Sequence, residues 1–229
     1  MKTSAVKLHE RPASKINLIG GRLCLDFVNS IGARRTGPAG EMVIRDEKLT
    51  DYFDLVAWAR HAGALTQAEA KALTKEALQH PSDAARVLRI GLRLREALFS
   101  VLKQIVARRT TDRHDLAVLN EELQVAQGAR QIAETANGFE WKWTTSRPAL
   151  DKILWLVSDS AAELLTAGDL SRLRQCGGDD CGWIFEDSTR NRSRHWCDIR
   201  DCGNRDRVRR FRSRQRTRGR SVHAPHPNA

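Results

Sequence analysis

The sequence predicts a mainly α chain with a small β element: an N-terminal helical domain carrying a β-hairpin, then a small four-cysteine unit in which a β-hairpin precedes an arginine-rich helix. Three observations predict it. Between residues 50 and 166, apolar side chains recur at threes and fours in segments opened by capping residues, as amphipathic helices require. Inside that run, Phe139–Thr144 switches to alternation. Four of the five cysteines crowd into the stretch from Cys176 to Cys202. A chain of 229 residues with 41% hydrophobic and 29% charged residues can bury a core over most of its length, which excludes wholesale disorder.

Residues 1–15 are polar and expected to be flexible. Residues 16–31 are apolar and broken by Gly20-Gly21. Leu23, Leu25 and Phe27 alternate as in a strand, whereas Leu23, Phe27 and Ser30 would share a helix face, so both conformations stay open. Residues 32–42, with Gly32, Gly37, Pro38 and Gly40, read as a loop. Thr50 is the expected N-cap of a helix over 51–61. Thr66-Gln-Ala-Glu69 has the form of a capping box and opens a helix to about Gln79, stopped by Pro81. Ser82 is the expected cap of a long central helix to about Arg108, and a fourth helix covers 112–126.

Residues 131–136 and 139–144 then pair around Asn137-Gly138, a dipeptide suited to a type I′ turn. Phe139, Trp141 and Trp143 share one face of that hairpin. They are expected to pack on the helices, the alternative being a platform for stacking a ligand. Arg147-Pro148 starts a last helix to about Thr166, ended by Gly168. The helical domain thus spans 16–169. No repeat is visible, nor any run approaching a membrane span. The first residues carry no apolar leader, and a cytoplasmic protein is the expectation.

Cys24 stands alone and reads as a small buried hydrophobe. The pattern Cys176-x4-Cys181-x15-Cys197-x4-Cys202 sets two cysteine pairs a short segment apart, the ligand pattern of a closed structural Zn²⁺ site. Zinc accepts four thiolates on a tetrahedron, and Gly177, Gly178, Gly182 and Gly203 give the backbone freedom to turn around it. Disulfides would need an oxidising compartment, a redox pair normally has two intervening residues, and no iron–sulfur spacing matches. The segment 170–218 has too few apolar residues to stand without such a staple. Trp183–Phe185 is expected to form one strand of this unit and Ser193–Trp196 the returning strand. A helix from Cys202-Gly-Asn-Arg205 to about Arg218 would turn Val208 and Phe211 to the unit's own core. Residues 219–229 are expected to be disordered.

The net charge of +11 is concentrated here. Between Arg190 and Arg220 stand thirteen Arg, no Lys and three Asp, a net of +10 that leaves about +1 for the remainder. Arg205, Arg209, Arg212 and Arg216 line one stripe of the expected helix, and Arg207, Arg210, Arg214 and Arg218 a second. Unpaired arginines at this density are best explained by an external polyanion, and the guanidinium fork suits phosphate and guanine. Candidate nucleic-acid contacts are Arg192, Arg194, Arg205, Arg207, Arg209, Arg210, Arg212, Arg214 and Arg216. DNA is the expected partner. RNA is the alternative, since basic helices and Cys₄ units serve there as well.

The residues Cys181-Gly-Trp-Ile-Phe185, Arg194-His-Trp-Cys197 and Cys202-Gly-Asn-Arg205 closely resemble the CGNR zinc finger of bacterial proteins. Gly20-Gly-Arg-Leu-Cys-Leu-Asp-Phe-Val-Asn-Ser30 resembles the start of the ABATE domain associated with it, with Ser30 where Thr is commoner. Leu164-Leu-Thr-Ala-Gly-Asp-Leu-Ser171 is similar to the usual lead into the finger. The resemblance covers nearly the whole chain and implies a bacterial DNA-binding transcription regulator linked to stress.

Asp26 and Asn29 lie three apart in an apolar run, where polar groups need partners. Two readings are open: they orient a small-molecule effector, or they cap a helix and tie down the following loop. His9, His61, His80 and His114 have no metal-ligand spacing. With no phosphate loop, nucleophile elbow or paired carboxylates, the helical domain is expected to sense a ligand or form a homodimer rather than to be an enzyme.

Overall fold

The computed structural model describes residues 6–37, 42–143 and 148–221. Among the described residues, helices account for 57%, and the strands form three separate antiparallel pairs. In chain order these are helix α1 (Leu23–Val28), strands β1 (Ile31–Thr36) and β2 (Met42–Glu47), helices α2 (Tyr52–His61), α3 (Gln67–Gln79), α4 (Pro81–Val106) and α5 (Arg113–Gly128), strands β3 (Arg130–Thr135) and β4 (Gly138–Trp143), helix α6 (Lys152–Ala167), strands β5 (Leu173–Gln175) and β6 (Ile184–Glu186), and helix α7 (Asn204–Ser221). No helix among the described residues is long and apolar enough to cross a membrane.

The core lies where α1, α2, α4 and α6 meet, around the fully buried Phe27, Leu25, Leu55, Trp58, Leu94, Leu98 and Ile153. Phe27 and Trp58 stack at 5.2 Å. α4 can run this close to α6 because position 91 is glycine: a Cβ there would sit 3.0 Å from Leu154 Cδ2. The capping box of α3 forms as expected, with Thr66 and Glu69 bonding reciprocally.

Several expectations are corrected. The ambiguous segment after Gly20-Gly21 resolves as helix, because Cys24, Leu25, Phe27 and Val28 all enter the core. Residues 6–15 are ordered: two 3₁₀ turns insert Leu8 and Ala13, and Arg11 bridges Asp51 and Asp54 of the α2 N-terminus at 2.7 and 2.6 Å. The expected loop 32–42 is largely the β1–β2 hairpin, its tip residues 38–41 lying outside the described residues. The caps shift as well. Asp51 caps α2, while Thr50 hydrogen-bonds Asp54. Pro81 rather than a capped Ser82 opens α4, its missing N–H costing nothing at N1. The start of the last helix at Arg147 falls outside the described residues; α6 begins at Lys152.

The second hairpin exists, but Thr135 pairs with Gly138, so its two-residue loop is Ala136-Asn137. Only Gly138 takes positive φ (116°), whereas a type I′ turn needs it at both central residues. The aromatic face is not covered as expected. Trp143 packs on Trp155 at 5.6 Å, whereas Phe139 is 77% and Trp141 57% exposed.

The β1–β2 hairpin and the facing part of α4 carry what sequence reading missed. Arg34 and Arg95 are 2% and 1% exposed, and Glu47 and Glu96 neutralise them. Arg34 also lies 4.0 Å over the Phe99 ring and donates to Val28 O. Burial pushes Glu47 up, but the Arg95 guanidinium outweighs it and holds the carboxyl below its ordinary range. Buried charges of this kind are stable only when paired.

Candidate metal centre and nucleic-acid interface

β5 and β6 form the first half of the centre. Their register, Gln175 opposite Ile184, brings Cys176 and Cys181 to one end of the pair, and Cys176 N donates to Trp183 O at 2.8 Å. The turn between them needs glycine for packing. At Gly177 a Cβ would lie 2.3 Å from His195 Nε2; at Gly182, where φ is +72°, it would lie 2.9 Å from Arg34 O. The second half has no returning strand. Residues 193–196 are irregular, and β6 pairs instead with β5 on one edge and meets the Asn29 amide and Gly20 O on the other. Cys197 follows directly, and Cys202 sits in a π-helical turn (Ile199–Gly203) capped by Asp198.

All four cysteines are buried, and their sulfurs lie within 4.8 Å of one another. Cys197 Sγ is 3.5 Å from the sulfurs of both Cys181 and Cys202. A tetrahedron of Zn–S bonds of about 2.3 Å sets sulfurs about 3.8 Å apart, so the cluster has the dimensions of one zinc ion. The donors fit chemically too. Shared hydrogen bonding among the sulfurs holds the Cys176 thiol below its ordinary range and pushes the thiols of Cys181 and Cys197 up. Four thiols this close ionise together only around a cation. By contrast, burial pushes the lone Cys24 up to about 11, as suits an inert core residue.

Two groups steady the sulfur charge from outside. Cys197 N donates to Cys176 Sγ at 3.3 Å, and Arg205 Nη2 donates to Cys202 Sγ at 3.1 Å while Arg205 Nε pairs with Asp201 at 3.0 Å. The last residue of the Cys202-Gly-Asn-Arg205 motif is thereby a partner of the centre itself.

The centre is fused to the helical domain. Asn29, fully buried, donates Nδ2 to Ile184 O at 2.8 Å and accepts from Ile184 N at 3.0 Å. Trp183 Nε1 donates to Ile31 O, Arg34 N to Cys181 O and Glu186 N to Gly20 O. Leu173 and Ile184 belong to the same apolar core as α1, α2, α4 and α6. Asp26 accepts from Gly20 N at 2.8 Å; burial pushes its carboxyl up against that bond. Both polar residues of the Asp26–Asn29 pair are therefore engaged with backbone.

Of the nine candidate arginines, several are committed elsewhere. Arg194 turns inward, 4.3 Å over the Phe185 ring, donating to Trp196 O and Cys197 O. Arg192 pairs with Asp169 and Ser171. Arg209 bridges Asp206 and Asp179, and Arg210 pairs with Asp206 at 2.8 Å. Asp206, 7% exposed, pairs within α7 itself, and it is Arg205, through Cys202 and Asp201, and Arg209, through Asp179, that tie the first turns of α7 to the centre. Val208 and Phe211, expected to face inward, are 40% and 60% exposed. Arg207, Arg212 and Arg214 are exposed and have no acidic partner among the described residues; the Arg216 side chain lies outside them.

Residues 21–168 match the ABATE family model, whose description reads "putative stress-induced transcription regulator". The chain belongs to the ABATE family. Its ABATE domain is followed by a match to the CGNR zinc finger over residues 172–215, which contains all four cysteines, and these could hold one zinc ion. These are regulator and zinc-finger families rather than enzyme families. Comparison with curated proteins found no match. The ABATE domain begins at the glycine whose neighbour Gly20 receives Glu186 N, so the two matched units meet in space as well as in sequence.

Proposed function

We propose that this chain is a zinc-dependent DNA-binding regulator of transcription, acting in the bacterial cytoplasm, whose α7 lies against the DNA phosphates. The observation that carries this reading is the state of the α7 arginines. The helix Asn204–Ser221 contains nine Arg and one Asp, and the single Asp is spent on Arg209 and Arg210 of the same helix. Arg207, Arg212 and Arg214 are left exposed with no acidic partner among the described residues, and Arg216 is the fourth candidate by its place in the sequence. An unpartnered cationic helix fixed at one end by a metal centre is built to meet an extended polyanion.

Duplex DNA binding measured by fluorescence anisotropy against salt tests this. Four phosphate contacts predict a slope of log K against log[salt] of roughly −4. Arg212→Ala should weaken binding and flatten the slope by about one unit, with zinc content unchanged. Selection of genomic fragments against an RNA competitor separates the RNA alternative: preferential retention of RNA would replace DNA as the partner, and a slope near zero would remove nucleic acid altogether.

A further inference from the structure

The β3–β4 hairpin is anomalous. Ile132, Phe139 and Trp141 are 63%, 77% and 57% exposed on one of its faces. Among the described residues the sheet has two strands, so the outer edge of each is unpaired. A two-stranded hairpin is marginal alone, and an apolar face beside open edges is a template for pairing. Its base is fixed: Arg130 pairs with Asp159 of α6 at 2.8 Å and stacks over Trp141 and Trp143.

We propose that β4 pairs antiparallel with β4 of a second copy of this chain about a two-fold axis at Trp141, joining the two hairpins into one four-stranded sheet. The choice of partner rests on charge. In that register Glu140 lies opposite Lys142 of the partner copy, and Lys142 opposite its Glu140, so both charged positions are matched by the symmetry itself. Glu140 and Lys142 already pair within one strand at 3.1 Å, on the face away from the aromatics. The same register sets Trp141 against Trp141 and Phe139 against Trp143, and extends the apolar row from Ile132 across both hairpins. β3 is the poorer edge, because its cation, Arg130, is already committed to Asp159. Antiparallel pairing with β3 uses alternate residues of β4, and the others turn their N–H and C=O groups to the open edge. The pairing does not depend on what α7 binds.

Light scattering on the full zinc-loaded chain, coupled to size-exclusion chromatography, tests this. The wild type should be a dimer. Glu140→Lys and Lys142→Glu each place two like-charge pairs in the interface and should raise the dimer Kd about tenfold or more. An equimolar mixture of the two variants should recover the dimer, since each supplies the charge the other lacks. That recovery cannot come from a folding defect. Hydrogen exchange should show alternate β4 amides slowed in the dimer and fast in the dilute monomer. A monomeric wild type, a dimer indifferent to both reversals, or variants that fail to associate when mixed would each overturn the proposal. Slowed exchange confined to other surfaces would do so as well.

Discussion

Asn29 holds the molecule together at the smallest scale. Its amide satisfies both backbone groups of Ile184, a residue that is itself fully buried. Replacing it by alanine strands a buried N–H and a buried C=O, so Asn29→Ala should cost about 2–4 kcal/mol. Urea unfolding checks this, and the variant should also release zinc faster, because the carbonyl of Ile184's neighbour Trp183 fixes the Cys176 turn. Arg205 acts at the same scale. Arg205→Ala removes the donor to Cys202 Sγ, and metal affinity measured by chelator competition should fall about 10–100-fold with the four thiolates intact. An unchanged affinity would return Arg205 to the surface set. The spacing of the cysteines announced the centre plainly. Nothing in the spacing of Arg194, Arg205 and Arg209 told them apart from Arg207 and Arg212, because a stripe on a helix records direction and not what stands opposite.

At the scale of elements, α7 is a helix without an apolar side. Arginines recur on it at i, i+3 and i, i+4, where like charges destabilise. Its mean helicity should therefore rise on adding duplex DNA or sulfate. Circular dichroism reads this, and no gain at saturating DNA would separate helix formation from binding. The α3–α6 contact makes a second case. Hydrogen bonds from Lys152 and then Thr66 hold Glu69 at about 2 instead of the usual 4.5. A depressed carboxylate stabilises the fold above its unfolded-state value, and that contribution disappears as pH falls from 4.5 towards 2. Thermal melts across this window should show a steeper loss for wild type than for Glu69→Gln. Helices with marked periodicity and caps, α3 to α5 above all, were legible because their burial follows from their own spacing. The β1–β2 hairpin was not: Gly32, Gly37, Pro38 and Gly40 read as loop, and only the carboxylates of Glu47 and Glu96 let Arg34 and its spatial neighbour Arg95 be buried.

For the whole molecule, finger and helical domain form one structure. Leu173 and Ile184 sit in the common core, and Asn29, Ile31, Arg34 and Gly20 bond the finger's backbone or side chains. Zinc removal should therefore destabilise the entire chain. A loss of even about 5 kcal/mol would lower Tm by about 10–20 °C in a single transition. Calorimetry with and without a chelator checks this; a finger melting alone, with the helical transition unmoved, would show the two to be independent. Deleting residues 170–229 should likewise leave a helical domain with a damaged core.

The amino-acid order alone determined the chemistry that is local: which cysteines clasp the ion, where the helices run, and where the positive charge collects. Thiolate spacing and helical periodicity are properties of neighbouring residues, so they survive without knowledge of the fold. The tertiary structure decided which arginines are spent on Asp179, Asp201, Asp206 and the Phe185 ring, why Asn29 faces a strand 155 residues away, and that Phe139 and Trp141 stay in water. Each of these depends on what a side chain meets across space, and burial and pairing energies are set by that encounter rather than by position along the chain.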